Sequence, residues 1–113
     1  MKRGEIYFAN LDPTVGSEIR KKRPVIIVSN NANNHYATTV TIVPLTSNIE
    51  KIYPFEVYLD QKETGLSKHA KAQCHQVRTI SKLRMEGRTV GMVSAKVMLT
   101  IHQALKLHLD LLV

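Results

Sequence analysis

The chain has 113 residues, with sixteen Lys and Arg against nine Asp and Glu, and its formal net charge of +7 at pH 7 favours a polyanionic partner such as nucleic acid or an acidic protein segment. This length predicts a single domain, 1–113, and because no apolar run is long enough for a membrane-spanning helix or a signal peptide, we expect a cytoplasmic protein without a membrane partner. The lone Cys74 excludes an internal disulfide, and no Cys or His spacing indicates a zinc site, so neither a metal nor a cofactor is expected.

Six strands are predicted in chain order. The first, 5–9, alternates apolar and polar residues, and the second begins at Pro24 with the β-branched run VIIV, which is typical of a strand buried on both faces. Between them a polar connection, 12–22, is longer than an ordinary hairpin loop and is therefore a candidate functional segment. An asparagine-rich segment, 30–34, is expected to end the second strand. The remaining strands are predicted at 38–45, 54–59, 70–75 and 88–93.

One helix is predicted, near the C-terminal end, with Ser94 as its N-cap. Helical spacing places eight residues on one arc, which we expect to face a core. These are Val97, Met98, Ile101, Ala104, Leu105, His108, Leu109 and Leu112. Three leucines at 99, 107 and 111 lie off that arc and indicate a second contact, such as a partner subunit. The predicted fold is mainly β with a C-terminal helix, a small curled sheet or barrel.

The densest positive charge of the chain stands directly before Pro24, at Arg20, Lys21, Lys22 and Arg23. Such a run is often a solvated loop that keeps a protein soluble, and it is also typical of a nucleic-acid interface. Arg23 differs from the other three because it adjoins a fixed proline at the start of a buried strand. Its planar guanidinium group suits a phosphate, so Arg23 is a candidate phosphate ligand.

The third predicted strand ends in a polar segment, PLTSN at 44–48. Hydroxyl groups at strand ends usually bond to the local backbone in turns. The alternative is that the hydroxyl of Thr46 or Ser47 donates a hydrogen bond to a phosphate oxygen.

A second polar segment, HQVRT at 75–79, follows Cys74. Strand alternation predicts that Cys74 points into the core and that His75 points away from it. His75 is then either an ordinary surface residue or a group that carries a proton near neutral pH. His108 is interpreted as a packed or interface residue of the helix rather than as a catalyst. The histidines at 35, 69 and 102 give no indication either way.

Six segments, taken in order, resemble the MazF/PemK family of toxins. They are RGEIYFANLDPTVGSE, KKRPVIIVSNN, TIVPLTSN, YPFEVYL, QCHQVRTISKLR and ALKLHLDLL, and together they run through nearly the whole chain. The resemblance implies an SH3-like or CcdB-like β-barrel with a C-terminal helix that works as a homodimer. It also implies a toxin of a type II toxin–antitoxin pair, whose partner is an acidic antitoxin protein.

The activity that the resemblance implies is that of an mRNA interferase, an endoribonuclease that cuts single-stranded RNA at short sequences without a metal ion. In this chemistry the ribose 2′-hydroxyl attacks the adjacent phosphorus, and the products carry a 2′,3′-cyclic phosphate and a 5′-hydroxyl. The protein has to accommodate removal of the 2′ proton, charge on the phosphorane oxygens and protonation of the leaving oxygen.

Two family motifs assign catalytic residues by resemblance. The arginine of the RPV motif falls on Arg23, and the threonine or serine that follows the third strand falls on Thr46. The chain departs from the family at His75, where members commonly have an acid, and at Gln73, where some have a catalytic arginine. His75 is therefore a candidate for proton transfer, Glu18 is another, and a third alternative is that neither is needed.

The expected RNA contacts follow the same resemblance. The cations of the loop would draw in the phosphate chain, residues of the QVRT segment would contact RNA, Asn30 would line the same groove, and Glu18 would order over bound RNA. The predicted RNA-binding residues are Arg20, Lys21, Lys22, Asn30, Gln76, Arg78 and Glu18.

Two other functions remain as alternatives. One is a CcdB-like toxin that has the same fold and poisons DNA gyrase by binding it. The other is a non-catalytic SH3-like RNA-binding module, which would keep the basic loop and tolerate loss of Thr46.

Overall fold

The computed structural model describes residues 1–112 and contains seven strands and three α-helices within that range. The strands are β1 Glu5–Asn10, β2 Lys22–Ile27, β3 Thr39–Thr46, β4 Glu56–Leu59, β5 Ala70–Gln73, β6 Arg78–Ser81 and β7 Met85–Met92. The helices are α1 Asn31–Tyr36, α2 Gln61–Thr64 and α3 Ala95–Leu109. Single 3-10 turns lie at Cys74–Gln76 and Lys82–Arg84.

The strands form one antiparallel sheet in the order β4-β5-β3-β2-β1-β7, and β6 also pairs with β3. β5 and β6 share one edge of β3, since β5 pairs with its last two residues and β6 with its first four. The prediction of a mainly β fold with a C-terminal helix is confirmed, but the closed barrel is not observed. β4 and β7 lie at the two ends of this order and do not pair with each other within the described residues. α2, which follows β4, packs against β7 instead.

β2 separates two apolar cores, as the predicted burial on both faces requires. Successive side chains of a strand point to opposite faces, so Val25 and Ile27 join one core while Ile26 and Val28 join the other. The larger core lies between the sheet and α3, and the smaller one lies beneath the start of the β1–β2 loop. β2 is therefore held from both sides, and its first residues are fixed in place.

α3 begins at the predicted N-cap, where Ser94 Oγ accepts a hydrogen bond from the Val97 amide at 3.2 Å. The predicted arc is confirmed over the first three turns, where Ile101 and Ala104 are buried in the larger core. It is wrong at the end of the helix, because the side chains there extend past the sheet. His108, Leu109 and Leu112 are exposed in the single chain.

The off-arc leucines of α3 are also exposed, which leaves an apolar surface on this helix. Leu99 and Leu107 are about as exposed as Leu109, at 60%, 59% and 50%. None of the helices in the described range is long and apolar enough to cross a membrane.

Three elements were not predicted. The asparagine-rich segment does end β2, but it forms α1. In this helix the buried side-chain amide of Asn34 donates a hydrogen bond to Ser29 O at 2.8 Å. The connection between the predicted strands at 54–59 and 70–75 contains α2, which ends at Thr64. The QVRTIS segment contains β6, which pairs with β3.

The segment after α2 approaches β7 so closely that two glycines are required. A Cβ atom on Gly65 would lie 2.7 Å from Val90 O, and one on Gly91 would lie 2.2 Å from Thr64 O. Gly65 also has φ of +76°, a conformation that favours glycine. This contact fixes the point from which residues 66–69 run back to β5.

Candidate active site

The start of β2 and the end of β3 form one wall of a cleft of about 190 Å³. These two strands are antiparallel neighbours, with Val25 opposite Pro44, so the first residues of β2 lie beside the last residues of β3. The cleft is lined by Phe8, Lys22, Arg23, Pro24, Leu45, Thr46, Ser47, Leu66, Ser67, Lys68, His69 and Ala70.

Arg23 and Thr46 meet in this cleft, although 23 positions separate them in the chain. Arg23 Nη1 lies 3.5 Å from Thr46 Oγ1, and Arg23 Nε donates to Arg20 O at 2.8 Å. A guanidinium group carries five N–H donors, so three of them make no hydrogen bond to described residues and remain for a ligand. The bond to Arg20 fixes the orientation of the group.

The Thr46 hydroxyl accepts two hydrogen bonds, one from Arg23 and one from the Asn48 amide at 3.3 Å. A hydroxyl oxygen has two lone pairs, so both are engaged. Its own proton is therefore available to be donated into the cleft.

A buried ion pair holds the loop that follows Thr46. Lys71, the register partner of Thr46 on β5, donates to Glu56 Oε1 at 3.1 Å and to Lys51 O at 2.6 Å. The same Glu56 oxygen accepts from the Tyr53 amide at 3.0 Å. Breaking a buried pair typically costs about 3 to 5 kcal/mol, so this arrangement ties the β3–β4 loop firmly to the sheet.

The other cations of the basic run differ in their surroundings. Lys22 lines the cleft, where its Nζ lies 3.2 Å from Glu86 and 5.9 Å from the centre of the Phe8 ring. Arg20 and Lys21, which precede Lys22 in the chain, are exposed and are not among the residues that line the cleft. Lys21 adopts a left-handed φ of 72°, which a lysine rarely does, and its amide is held by Asp12 Oδ1 at 3.2 Å.

Gln76 and Arg78 hold the β1–β2 loop, and neither is among the cleft residues. The Gln76 side chain accepts from the Ile19 amide at 3.3 Å and donates to Ser17 O at 3.4 Å. Arg78 Nη1 donates to Leu11 O at 3.1 Å. Both residues therefore act on the loop that leads into Arg23.

The structure places Glu18 in the loop and Asn30 away from the cleft. Glu18 is exposed and accepts a hydrogen bond from the Val15 amide at 2.6 Å. Asn30 lies beyond the opposite end of β2 from Arg23, where its Oδ1 caps α1 by accepting from the Asn33 amide at 2.8 Å. The expectation that Asn30 lines the groove does not fit this position.

His75 is not brought to the cleft. β5 ends at Gln73, and the following 3-10 turn breaks the alternation that predicted an outward side chain. The His75 ring packs against Phe55, with ring centres 4.5 Å apart, and lies 6.4 Å from the ring of His108. Its Nδ1 atom is buried without a hydrogen-bond partner among the described residues.

Burial dominates the titration of this region. It lowers the pKa of His75, with His108 and Lys71 acting in the same direction against the opposing effect of Glu56. Cys74 is buried as predicted, and burial raises the pKa of its thiol to about 12. Burial therefore favours the neutral form of both groups.

Sequence reasoning missed His69, which lines the same cleft as Arg23 and Thr46. Its Nδ1 accepts from the Gln61 amide at 3.2 Å and lies 3.9 Å from Asp60 Oδ2. The connection through α2 carries His69 to this place, and no spacing in the sequence indicated it. Within the described range, no group of three or more His, Cys, Asp or Glu side chains is arranged to hold a metal ion.

Comparison with known proteins assigns the chain to a family. The family model of the PemK-like, MazF-like toxins of type II toxin–antitoxin systems matches residues 2–109. The chain belongs to this family.

Curated relatives match along nearly their whole length. Endoribonuclease MazF9 of Mycobacterium tuberculosis is 47% identical, over 98% of this chain and 98% of its own. Endoribonuclease EndoA of Bacillus subtilis is 33% identical, over 99% of this chain and 97% of its own.

A similar solved structure is an endoribonuclease from a mycobacterial species in complex with its cognate antitoxin. It has a TM-score of 0.79 and 27% identity, and the match covers 98% of this chain and 96% of that chain. The chain therefore shares its fold with this endoribonuclease over almost all residues.

The lowered pKa of His75 predicts how stability depends on pH. Above the ordinary pKa of 6.5 the His75 imidazole is neutral in both the folded and the unfolded protein. As the pH falls below this value, the unfolded chain takes up the proton before the folded protein does, so acidification favours unfolding. Urea unfolding at about pH 7.5 and 5.5 should therefore show a smaller loss of stability for His75→Gln than for the unchanged protein. The exposed His35, changed to Gln, is the matched control, and an equal loss in all three proteins would contradict the account.

Proposed function

We propose that this protein cuts single-stranded messenger RNA at short sequences without a metal ion. In the proposed reaction the ribose 2′-hydroxyl attacks the adjacent phosphorus. The products would be a 2′,3′-cyclic phosphate and a 5′-hydroxyl. The coarser statement, that the chain is an RNA-cleaving toxin, rests on its family and on the endoribonucleases that it matches. The geometry of the cleft supports the more detailed proposal of how the RNA is cut.

The observation that carries the proposal is the meeting of Arg23 and Thr46 in one cleft. One scissile phosphate fits between the free N–H groups of Arg23 and the free proton of Thr46. Arginine stays protonated at all relevant pH values, so Arg23 is assigned to stabilising charge on the phosphorane oxygens. Thr46 donates a further hydrogen bond to the same group.

The surrounding charge supports an RNA path through the mouth of the cleft. Lys22 lines the cleft, and Arg20 and Lys21, which precede it in the chain, are exposed, so that the three cations would attract successive phosphates. Gln76 and Arg78 would act through the loop that they hold, and Glu18 would order with that loop over bound RNA. His75 has no part in this proposal, since it lies outside the cleft.

Two assembly partners complete the proposal. The net charge of +7 suits an acidic antitoxin whose disordered segment folds into the RNA groove, and the mycobacterial neighbour was solved with its cognate antitoxin. A homodimer would cover the exposed leucines of α3, which a monomer leaves in water.

Incubation of the purified protein with mixed-sequence RNA in excess EDTA tests the activity. We expect defined fragments that end in a 2′,3′-cyclic phosphate. Intact RNA with a mobility shift would instead support a binding module, and intact RNA together with inhibited gyrase would support a CcdB-like toxin. Either of these results would contradict the proposal.

Substitutions test the two assigned roles. Arg23→Ala removes a preorganised donor of the transition state and should lower the single-turnover rate by about two to three powers of ten, with folding retained. Thr46→Val should lower the single-turnover rate strongly, whereas Thr46→Ser, which keeps the hydroxyl, should retain most of it.

Arg88→Ala is the matched loss of an exposed cation outside the cleft and should leave the rate near that of the unchanged protein. Full activity of Arg23→Ala would refute the assignment.

A further inference from the structure

The proposed reaction leaves one requirement without a residue, which is protonation of the departing 5′-oxygen. Arg23 and Thr46 account for charge on the phosphorane, and His75 lies outside the cleft. Among the described residues that line the cleft, His69 is the one side chain whose ordinary pKa lies near neutrality.

The hydrogen bonds of His69 keep a proton on the ring nitrogen that is free to face the cleft. In the neutral ring, Nδ1 accepts from the Gln61 amide, so the proton resides on Nε2. Protonation of Nδ1 breaks its bond from the Gln61 amide, and the new Nδ1–H then faces the Asp60 carboxylate, whose Oδ2 lies 3.9 Å away. Nε2 therefore carries a proton both in the resting neutral ring and in the charged ring.

The scaffold fixes this ring on two sides. Asp60 is itself held as the N-cap of α2, where its Oδ1 accepts from the Lys62 amide at 2.9 Å. The His69 ring also lies 5.8 Å from the ring of Tyr58. A ring held in this way keeps Nε2 pointing in one direction.

The register of the sheet brings His69 and Thr46 to the same cleft. Thr46 pairs with Lys71 on β5, and His69 stands two residues before Lys71. His69 lies one residue before β5 and enters the cleft from the connection that leads into this strand. Its side chain and that of Thr46 line the same cleft of about 190 Å³, in which the phosphate would bind.

We propose that His69 is a further catalytic residue, the general acid that protonates the leaving 5′-oxygen; this inference rests on the proposed function. The 2′-oxygen forms its bond to phosphorus and its proton passes to solvent water. The P–O5′ bond breaks with its electron pair on O5′, which takes the proton from Nε2 of the charged ring. His69 is left neutral with a proton on Nδ1 facing Asp60, and water restores the charged form.

RNA with a bridging sulfur at the 5′ position of the scissile bond isolates the proposed role. A thiolate leaves without being protonated, so it has no need of a general acid. On ordinary RNA, His69→Gln should be slower than the unchanged protein by about a hundredfold or more, the usual contribution of acid catalysis. On the sulfur substrate the two proteins should cleave at nearly the same rate.

His69→Gln keeps an acceptor for the Gln61 amide. His35→Gln, which replaces an exposed histidine on α1, is the matched control. An equal loss on both substrates, or no loss on ordinary RNA, would overturn the role of His69 while leaving the ribonuclease intact. No cleavage of either substrate by the unchanged protein would overturn the proposed function and this inference with it.

Discussion

The antiparallel pairing of β2 with β3 is the constraint on which the candidate site depends. It sets Val25 opposite Pro44, which brings the first residues of β2 against the last residues of β3. Arg23 and Thr46 meet for this reason, and their 3.5 Å contact follows from strand register rather than from a flexible loop. Because both faces of β2 are buried, the register cannot slip by one residue without exposing a core, so the cleft is fixed by the hydrophobic effect.

The polar interactions around the cleft secure what the sheet has placed. Gln76 and Arg78 tie down the loop before Arg23, and the buried pair of Lys71 and Glu56 ties down the loop after Thr46. None of these four residues lines the cleft. Preorganised donors are effective in catalysis because they need not reorient during reaction, so a rigid surrounding shell is itself part of the proposed chemistry.

Much of this architecture could be predicted from the sequence, because patterns within one segment determine it. The buried run at 25–28, the Ser94 cap and the first turns of α3 are local signals, and the resemblance to a toxin family supplied the pairing of Arg23 with Thr46. Features that depend on the path of the chain were missed or wrong. Alternation failed at His75 because the backbone turns there, and His69 reaches the cleft only through α2 and the close contact of Gly65 with β7. Asn30 was predicted to line the groove, but its side chain caps α1 instead.

The central claim is that Arg23 and Thr46 act on the same phosphate. A double-mutant cycle on the single-turnover cleavage rate tests it most directly, using Arg23→Ala, Thr46→Val and the double variant. Residues that act as a unit are strongly non-additive, so the double variant should be little slower than Arg23→Ala alone. Rate losses that simply multiply would show two independent roles and would contradict the account.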